Sequence, residues 1–360
     1  MSMSPDEIRT ILSDAIDPNT NKKLAANLKQ SVVNVDGNTV NLTLALGYPI
    51  HNGLNAIKQP IETVLGKHDL SLGQFASELH VETHAVQRGL KPLPNVRNII
   101  AVASGKGGVG KSTTAVNLAL ALKSQGASVG LLDADIYGPS VPMMLGLSGK
   151  PESRDNKTME PLVGHGIEAN SIGFLIDPDS AAIWRGPMVS QALEQLLRQT
   201  NWGELDYLII DMPPGTGDIA LTLSQKVPLA GAIIVTTPQD LALADARKGL
   251  HMFRKVEVPV LGIVENMSMH ICSNCGHAEP IFGVHGGRDM AAEFNLPWLG
   301  TLPLAMAIRE QTDSGRPTVV ADPQSEAASM YQVIANGVAI QVATLPRDMA
   351  GKMPPVVVKS

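Results

Sequence analysis

Asn98-Ile99-Ile100-Ala101-Val102-Ala103-Ser104 runs directly into Gly105-Lys106-Gly107-Gly108-Val109-Gly110-Lys111-Ser112-Thr113. The first segment is short and almost continuously apolar, as expected of a strand buried on both faces. The second fits GxxxxGK[ST]. Residues 111–126 then read as a helix closed by Gly126. Strand, glycine-rich turn and helix are the context this motif requires. The glycines let backbone N–H groups turn inward around phosphate oxygens. Lys111 reaches the β/γ-phosphates, Ser112 ligates Mg²⁺, and the helix N-terminus adds its dipole. Gly105 through Thr113 are therefore the candidate ATP-binding residues. Lys106 stands inside the loop, five residues before Lys111. A cation there lies near the γ-phosphate of its own or a partner subunit's nucleotide, and across a dimer it would act as an arginine finger does.

Working outward, residues 128–135 (SVGLLDAD) form a second buried strand ending on Asp133 and Asp135. Residues two apart on a strand share a face, so both carboxylates address one site. Asp133 is expected to hold Mg²⁺ through water, and Asp135 to orient the attacking water. YLIID places Asp211 at the end of another strand, where it would contact Mg²⁺ from the outer shell. Catalysis would then rest on Lys106, Lys111 and Asp135, and Mg²⁺ on Ser112, Asp133 and Asp211. Further apolar runs at IEANSIG, GAIIVTT, PVLGIVENM and PWLGTLP alternate with helical stretches. That alternation predicts an α/β fold, a doubly wound and mostly parallel sheet.

A small α+β domain is expected ahead of it. Residues 5–16 read as a short amphipathic helix, and Asp36-Gly37-Asn38 marks a hairpin between two alternating runs. Residues 53–66 look helical, and residues 79–86 (LHVETHAV) read as a third strand. The expected boundaries are 1–90 for this domain, 91–97 for a proline-containing linker, 98–345 for the ATPase domain and 346–360 for a poorly ordered tail.

Composition narrows the class. A 44% hydrophobic share with 17% charged residues excludes a disordered chain. The net charge of -6 argues against a general nucleic-acid binder. No segment approaches the ~18 uninterrupted apolar residues of a membrane span. The N-terminus lacks a signal-peptide pattern, so a cytoplasmic protein is expected. The two cysteines, Cys272 and Cys275, form one CxxC in MHICSNCGHAEPIF. So short a loop gains little from a disulfide, and three readings remain open. A zinc site would have to recruit two histidines from His270, His277 and His285. A redox pair usually opens a helix, whereas this pair sits in a polar loop. An iron–sulfur cluster needs up to four thiolates, which two copies of the chain would supply at a twofold axis.

KGGVGKS with its extra lysine resembles the MinD/ParA/nitrogenase-iron-protein class of dimerising P-loop ATPases. LLDADIYGPS, IIDMPPGTGD and VENMS followed by CxxC are together similar to one branch, the Mrp/ApbC iron–sulfur cluster carrier ATPases. The N-terminal module is similar to the FeS-assembly domain fused ahead of such proteins, with Asp17-Pro18 at its DP turn. The cysteine often found after its second strand is absent, the sequence reading LGYPIHN. The resemblance implies a homodimer in which Cys272 and Cys275 of both chains hold a bridging [4Fe–4S] cluster. It also implies apoprotein targets and scaffold-protein donors. The acidic charge and a tail with prolines and no amphipathic period argue for no nucleic-acid and no membrane partner. Asn266 would meet the adenine edge, and Pro303 in the Leu302–Leu304 turn would close the other side of the base. Two other functions compete with a carrier: a positioning ATPase on membrane or DNA, and an ATPase switch with structural zinc.

Overall fold

A computed structural model describes residues 3–50, 54–175, 186–272 and 274–348. The expected tail lies outside the described residues from 349 on. Contacts divide the chain into two compact units, Met1–Glu82 with Ala339–Thr344, and Thr83–Val338 with the chain from Leu345 on.

The first unit opens with helix α1 (Pro5–Leu12), whose N-terminus is a capping box. Ser4 Oγ accepts the Glu7 N–H and the Glu7 carboxylate accepts the Ser4 N–H. The helix stops at Leu12, short of the expected Ile16. Ser13 Oγ donates to the Thr10 carbonyl, satisfying an end carbonyl and turning the chain. Strands β1 (Val32–Asp36) and β2 (Thr39–Leu46) pair antiparallel, and Gly37 takes φ +57° in the turn between them. Helix α2 (Leu54–Gly66) buries Ile57, Ile61 and Leu65.

The third strand departs from expectation. It is β3 (Ser71–Leu79), parallel to β2, and not residues 79–86. A helix between two strands returns the chain in parallel, so β3 starts soon after α2 ends. Its register slips opposite Asn41, where Gln74 N donates to Asn41 Oδ1 at 2.7 Å. A Cβ on Gly73 would stand 2.4 Å from that oxygen, so a larger residue would have to push the Asn41 side chain aside and lose this bond. At the DP turn, Asp17 is buried. It accepts from Tyr48 Oη at 2.8 Å, Asn19 N at 2.9 Å and Thr20 Oγ1 at 2.7 Å. Tyr48, in the segment where a cysteine was sought, thus serves a buried polar network.

The second unit is built on an eight-stranded sheet. Its strands are β4 (Val96–Ala103), β5 (Val129–Asp133), β6 (Leu162–Gly164), β7 (Ile167–Ser171), β8 (Leu205–Asp211), β9 (Gly231–Thr236), β10 (Val260–Glu265) and, after the cysteine ribbon, β13 (Trp298–Thr301). That ribbon is a separate antiparallel pair, β11 (His270–Ile271) and β12 (Ala278–Glu279). The sheet order is β13-β10-β9-β4-β8-β5-β7-β6, parallel except for β6 at one edge. Helix α3 (Lys111–Ser124) carries the chain from β4 one way, and helices α6 (Asp240–Lys255) and α7 (Gly286–Glu293) carry it the other way from β9. Right-handed crossovers in opposite directions put helices on opposite faces. The core agrees with this. Ile99, Ala101 and Ala103 of β4 share one cluster with Leu193 of helix α4 (Gly186–Gln199), Leu223 of helix α5 (Asp218–Lys226) and Phe253 of α6. The strand reverses direction of travel at β4, and the crevice beyond its C-terminal end is where such sheets bind ligands.

Candidate functional site

Each edge of that crevice is a strand end. β4 leads into the glycine turn, β5 ends on Asp133 and β8 on Asp211, which pair in register. Gly108 and Gly110 take φ +82° and +80°, the left-handed conformation that turns successive N–H groups the same way. Gly105 is required for another reason. A Cβ there would fall 2.1 Å from the backbone carbon of Asp245 in α6. The turn encloses a cavity of about 220 Å³ lined by Lys106, Lys111, Ser112, Thr113, Asp135 and Pro214, among others.

Lys111 enters this cavity from the first turn of α3. Its Nζ donates to Asp211 Oδ1 at 2.5 Å and to Ser112 Oγ at 3.1 Å, and lies 3.8 Å from Asp135 Oδ2. The structure thus brings Lys111, Ser112, Asp135 and Asp211 around one point. Asp211 is fully buried, and its Oδ2 takes no hydrogen bond from the protein. A hard cation reached by Ser112 would satisfy that oxygen, so these residues fit Mg²⁺. Asp135 is half-buried. Burial raises its carboxyl above the usual range, and the Lys111 ammonium pulls it back. Asp133 is different. It is fully buried and accepts from Ser171 Oγ at 2.9 Å and from the Asp135 and Val141 N–H groups. Burial and the Asp211 charge raise its carboxyl, and these bonds oppose the rise. Its observed contacts fix the loop that presents Asp135.

Asn266 follows β10. Its Nδ2 donates to the P-loop carbonyl of Val109 at 2.9 Å and its Oδ1 accepts the Met267 N–H. The Leu302–Leu304 turn, with Pro303 buried, is pinned to the same strand end: Leu302 N donates to the Glu265 carbonyl. Sequence reasoning missed Glu265, which caps α7 from the strand. The glycine pair Gly286-Gly287 was the available signal of a close approach.

The cysteines sit at the tip of the ribbon. Cys272 is half-buried and Cys275 exposed, both free thiols. The Gly276 N–H closes onto the Cys272 carbonyl, and the Cys272 N–H bonds the His277 carbonyl. Backbone N–H groups of Cys275 and Asn274 hold the Cys272 thiol below its ordinary pKa. Among the described residues no group of three or more His, Cys, Asp or Glu side chains gathers that could hold a metal ion. His270 Nδ1 lies 3.3 Å from the Leu304 carbonyl, outside the thiol pair.

A strand–P-loop–helix with carboxylates ending the next two strands on one side, and a two-thiol ribbon in the same unit, is a narrow combination. A family model described as ParA, NUBPL iron-transfer P-loop NTPase, matches residues 95–339. The chain belongs to this family. An iron-sulfur cluster carrier protein of Haemophilus influenzae is 50% identical over 94% of this chain and 92% of its own. The iron-sulfur cluster transfer protein NUBPL of Mus musculus is 53% identical over 73% of this chain and 84% of its own. Among solved structures, an ADP-bound nucleotide-binding protein of Archaeoglobus fulgidus is 38% identical with a TM-score of 0.57, covering 65% of this chain and 91% of its own. The cell-division ATPase MinD of Pyrococcus furiosus is 24% identical, with a TM-score of 0.51 over 67% of this chain and 98% of its own, and shares the fold. The α/β fold with its mostly parallel sheet is thus that of the iron-transfer P-loop NTPases. No described helix is long and apolar enough to cross a membrane.

Proposed function

We propose that this chain is an iron–sulfur cluster carrier, in which a P-loop ATPase site governs delivery of a [4Fe–4S] cluster to apoproteins. The observation that carries the reading is the isolated thiol pair. Two exposed or half-buried thiols at a ribbon tip, with no third donor gathered around them among the described residues, are half of a cubane's ligand set. A second copy of the chain supplies the other half when the ribbons meet across a twofold axis. The cluster is cargo, taken from scaffold proteins and passed on, and its half-exposed seat suits transfer. Relatives named as cluster carriers and transfer proteins support the same reading. Two free thiols suit the reducing cytoplasm.

At the nucleotide site, the P-loop N–H groups and Lys111 cradle the phosphates, and Lys106 adds charge near the γ-phosphate. Ser112 and Asp211 would hold Mg²⁺, with Asp133 behind them, and the ion would supply neutralising charge at the phosphate oxygens. Asp135 orients a water toward the γ-phosphorus. The water oxygen bonds to phosphorus as the bridging oxygen leaves with ADP, and the Lys111 ammonium stabilises the charge that spreads over the transferring group. Asn266 and Pro303 frame the base.

Anaerobic reconstitution tests the reading. The expected product is a dimer holding one cubane cluster per two chains. Cys272→Ala and Cys275→Ala each lose the cluster and still bind ATP. One tightly held zinc per chain, lost on substituting histidines, would replace this reading with the zinc-stabilised switch.

A further inference from the structure

β10 ends on Glu265, and Asn266 follows it. Successive side chains on a strand point to opposite faces, and these two reach different sites. Asn266 Nδ2 donates to the P-loop carbonyl of Val109 at 2.9 Å. A Cβ on Gly110 would fall 2.1 Å from that nitrogen, so the amide is seated directly against the phosphate loop. Glu265 is 2% exposed, and its Oε2 accepts the Gly287 N–H at 2.6 Å. Gly287 lies in the first turn of α7. The helix's own N-cap residue, His285, has φ +63° and gives no side-chain cap. The carboxylate of Glu265 supplies one from the strand.

Between Asn266 and Gly287 the chain makes an excursion that carries both cysteines, and the Glu265–Gly287 bond closes its neck. Just inside the neck, Met267 takes φ +56°, uncommon for a residue with a side chain, and its N–H is held by Asn266 Oδ1 at 2.9 Å. Ser268 N and Oγ then donate to the Leu302 carbonyl, and Leu304 N donates to the Met269 carbonyl. The incoming flank is thus laid along the 302–304 turn as far as the ribbon. The outgoing flank is fixed at α7 by Glu265. Both flanks refer to one dipeptide, which also touches the P-loop through Asn266.

The geometry points to Glu265 as a positioning residue that couples nucleotide occupancy of the P-loop to the placement of Cys272 and Cys275. Its biological meaning rests on the carrier reading above. When phosphate draws the P-loop inward, the Val109 carbonyl shifts and Asn266 follows. With the neck closed, both flanks move together and the thiols change position. With the neck open, the α7 flank no longer follows. Met267, at a left-handed φ and bonded through its N–H to Asn266, is the natural hinge. Such coupling is reciprocal, so seating the cysteines also biases nucleotide affinity.

The test uses the full apo chain and iodoacetamide, with alkylation of Cys272 and Cys275 followed by peptide mass. In the wild type, a non-hydrolysable ATP analogue with Mg²⁺ should change the two rates about fivefold or more. In Glu265→Ala that response should collapse although the analogue still binds. In Glu265→Gln it should persist, because the amide oxygen still accepts the Gly287 N–H. A wild-type response in Glu265→Ala, or no response in the wild type, overturns the proposal. Should Glu265→Ala fail to fold, hydrogen exchange on the unaltered chain decides. The analogue must then change protection of the Gly287 N–H together with the ribbon, and an indifferent Gly287 refutes the coupling. A chain that shows the response but takes up no cluster refutes the carrier reading and leaves the coupling standing.

Discussion

Lys111 Nζ sits 2.5 Å from Asp211 Oδ1, with the lysine 6% and the aspartate 0% exposed. The ammonium proposed to bind phosphate is thus also the partner of a buried carboxylate. Removing one member of such a pair is costly, because the other is left charged and dry. In the proposed mechanism, nucleotide binding trades this ion pair for phosphate and a cation.

Lys111→Ala should abolish hydrolysis and also lower stability by about 3–5 kcal/mol, the usual penalty of an orphaned buried charge. Adding Asp211→Asn should recover most of the stability and none of the activity. Urea unfolding and ATPase assays of the wild type and the two variants measure the two halves. Equal stability of Lys111→Ala and wild type would mean that the pair contributes nothing to the fold.

Asp135 stands 3.8 Å from Lys111, and its side chain, 13% exposed, lines the P-loop cavity, so water reaches it. Asp135→Asn keeps its size but orients water poorly. Turnover should fall about 10²-fold or more, while the ATP Kd moves little. A proportional loss of binding and turnover would make Asp135 a binding group without the water-orienting role.

The phosphate site was legible in the sequence because it is local. Strand, glycines, lysine and helix follow one another within one segment. Asp135 lies beyond the end of β5, so strand alternation does not govern it: it reaches Lys111, while Asp133 turns to Ser171 and the loop N–H groups. The parallel sheet was legible from its buried runs, which need no partner to be recognised. What escaped were features set by distant backbone. β3 reads SLGQFASEL, with no β-branched residue, and becomes a strand only because α2 returns it beside β2. VETHAV alternates better, yet its residues join no ladder beyond the single bridge of His84 to Arg347. Gly105 looked like a phosphate-loop glycine, and only the packed structure shows α6 pressed against it. The cap that Glu265 places on α7 spans 22 positions, which no periodicity reveals.

The P-loop glycines should separate cleanly by what a methyl group would meet. At Gly105 it would lie 2.1–2.4 Å from the backbone of Asp245 and Ala246, which has no rotamer to change. Gly105→Ala should cost about 3 kcal/mol or more, at the upper end of overpacking effects. At Gly107 the nearest atom is Pro214 Cβ at 4.0 Å. Gly107→Ala should therefore melt like wild type and lose affinity for ATP, since the methyl group borders the phosphate cavity. Thermal melts beside nucleotide titrations test the contrast, and a stable Gly105→Ala would refute the packing argument.

Glu265 gives the pH dependence. Burial raises its carboxyl, and the Gly287 N–H opposes the rise without cancelling it. The folded carboxyl therefore holds its proton to higher pH than the unfolded one. Between the two values the native state binds more protons, so the slope of unfolding free energy with pH is negative for this group. Its contribution is greatest below the ordinary glutamate range and is lost as pH rises through the raised value. Glu265→Gln lacks this slope and keeps the acceptor for Gly287. The variant's stability relative to wild type should then improve as pH rises through that window and level off above it. Denaturant unfolding across acid to neutral pH measures the difference. A flat difference would mean that the carboxylate is ionised at no cost in the fold, and that the bond to Gly287 outweighs its burial.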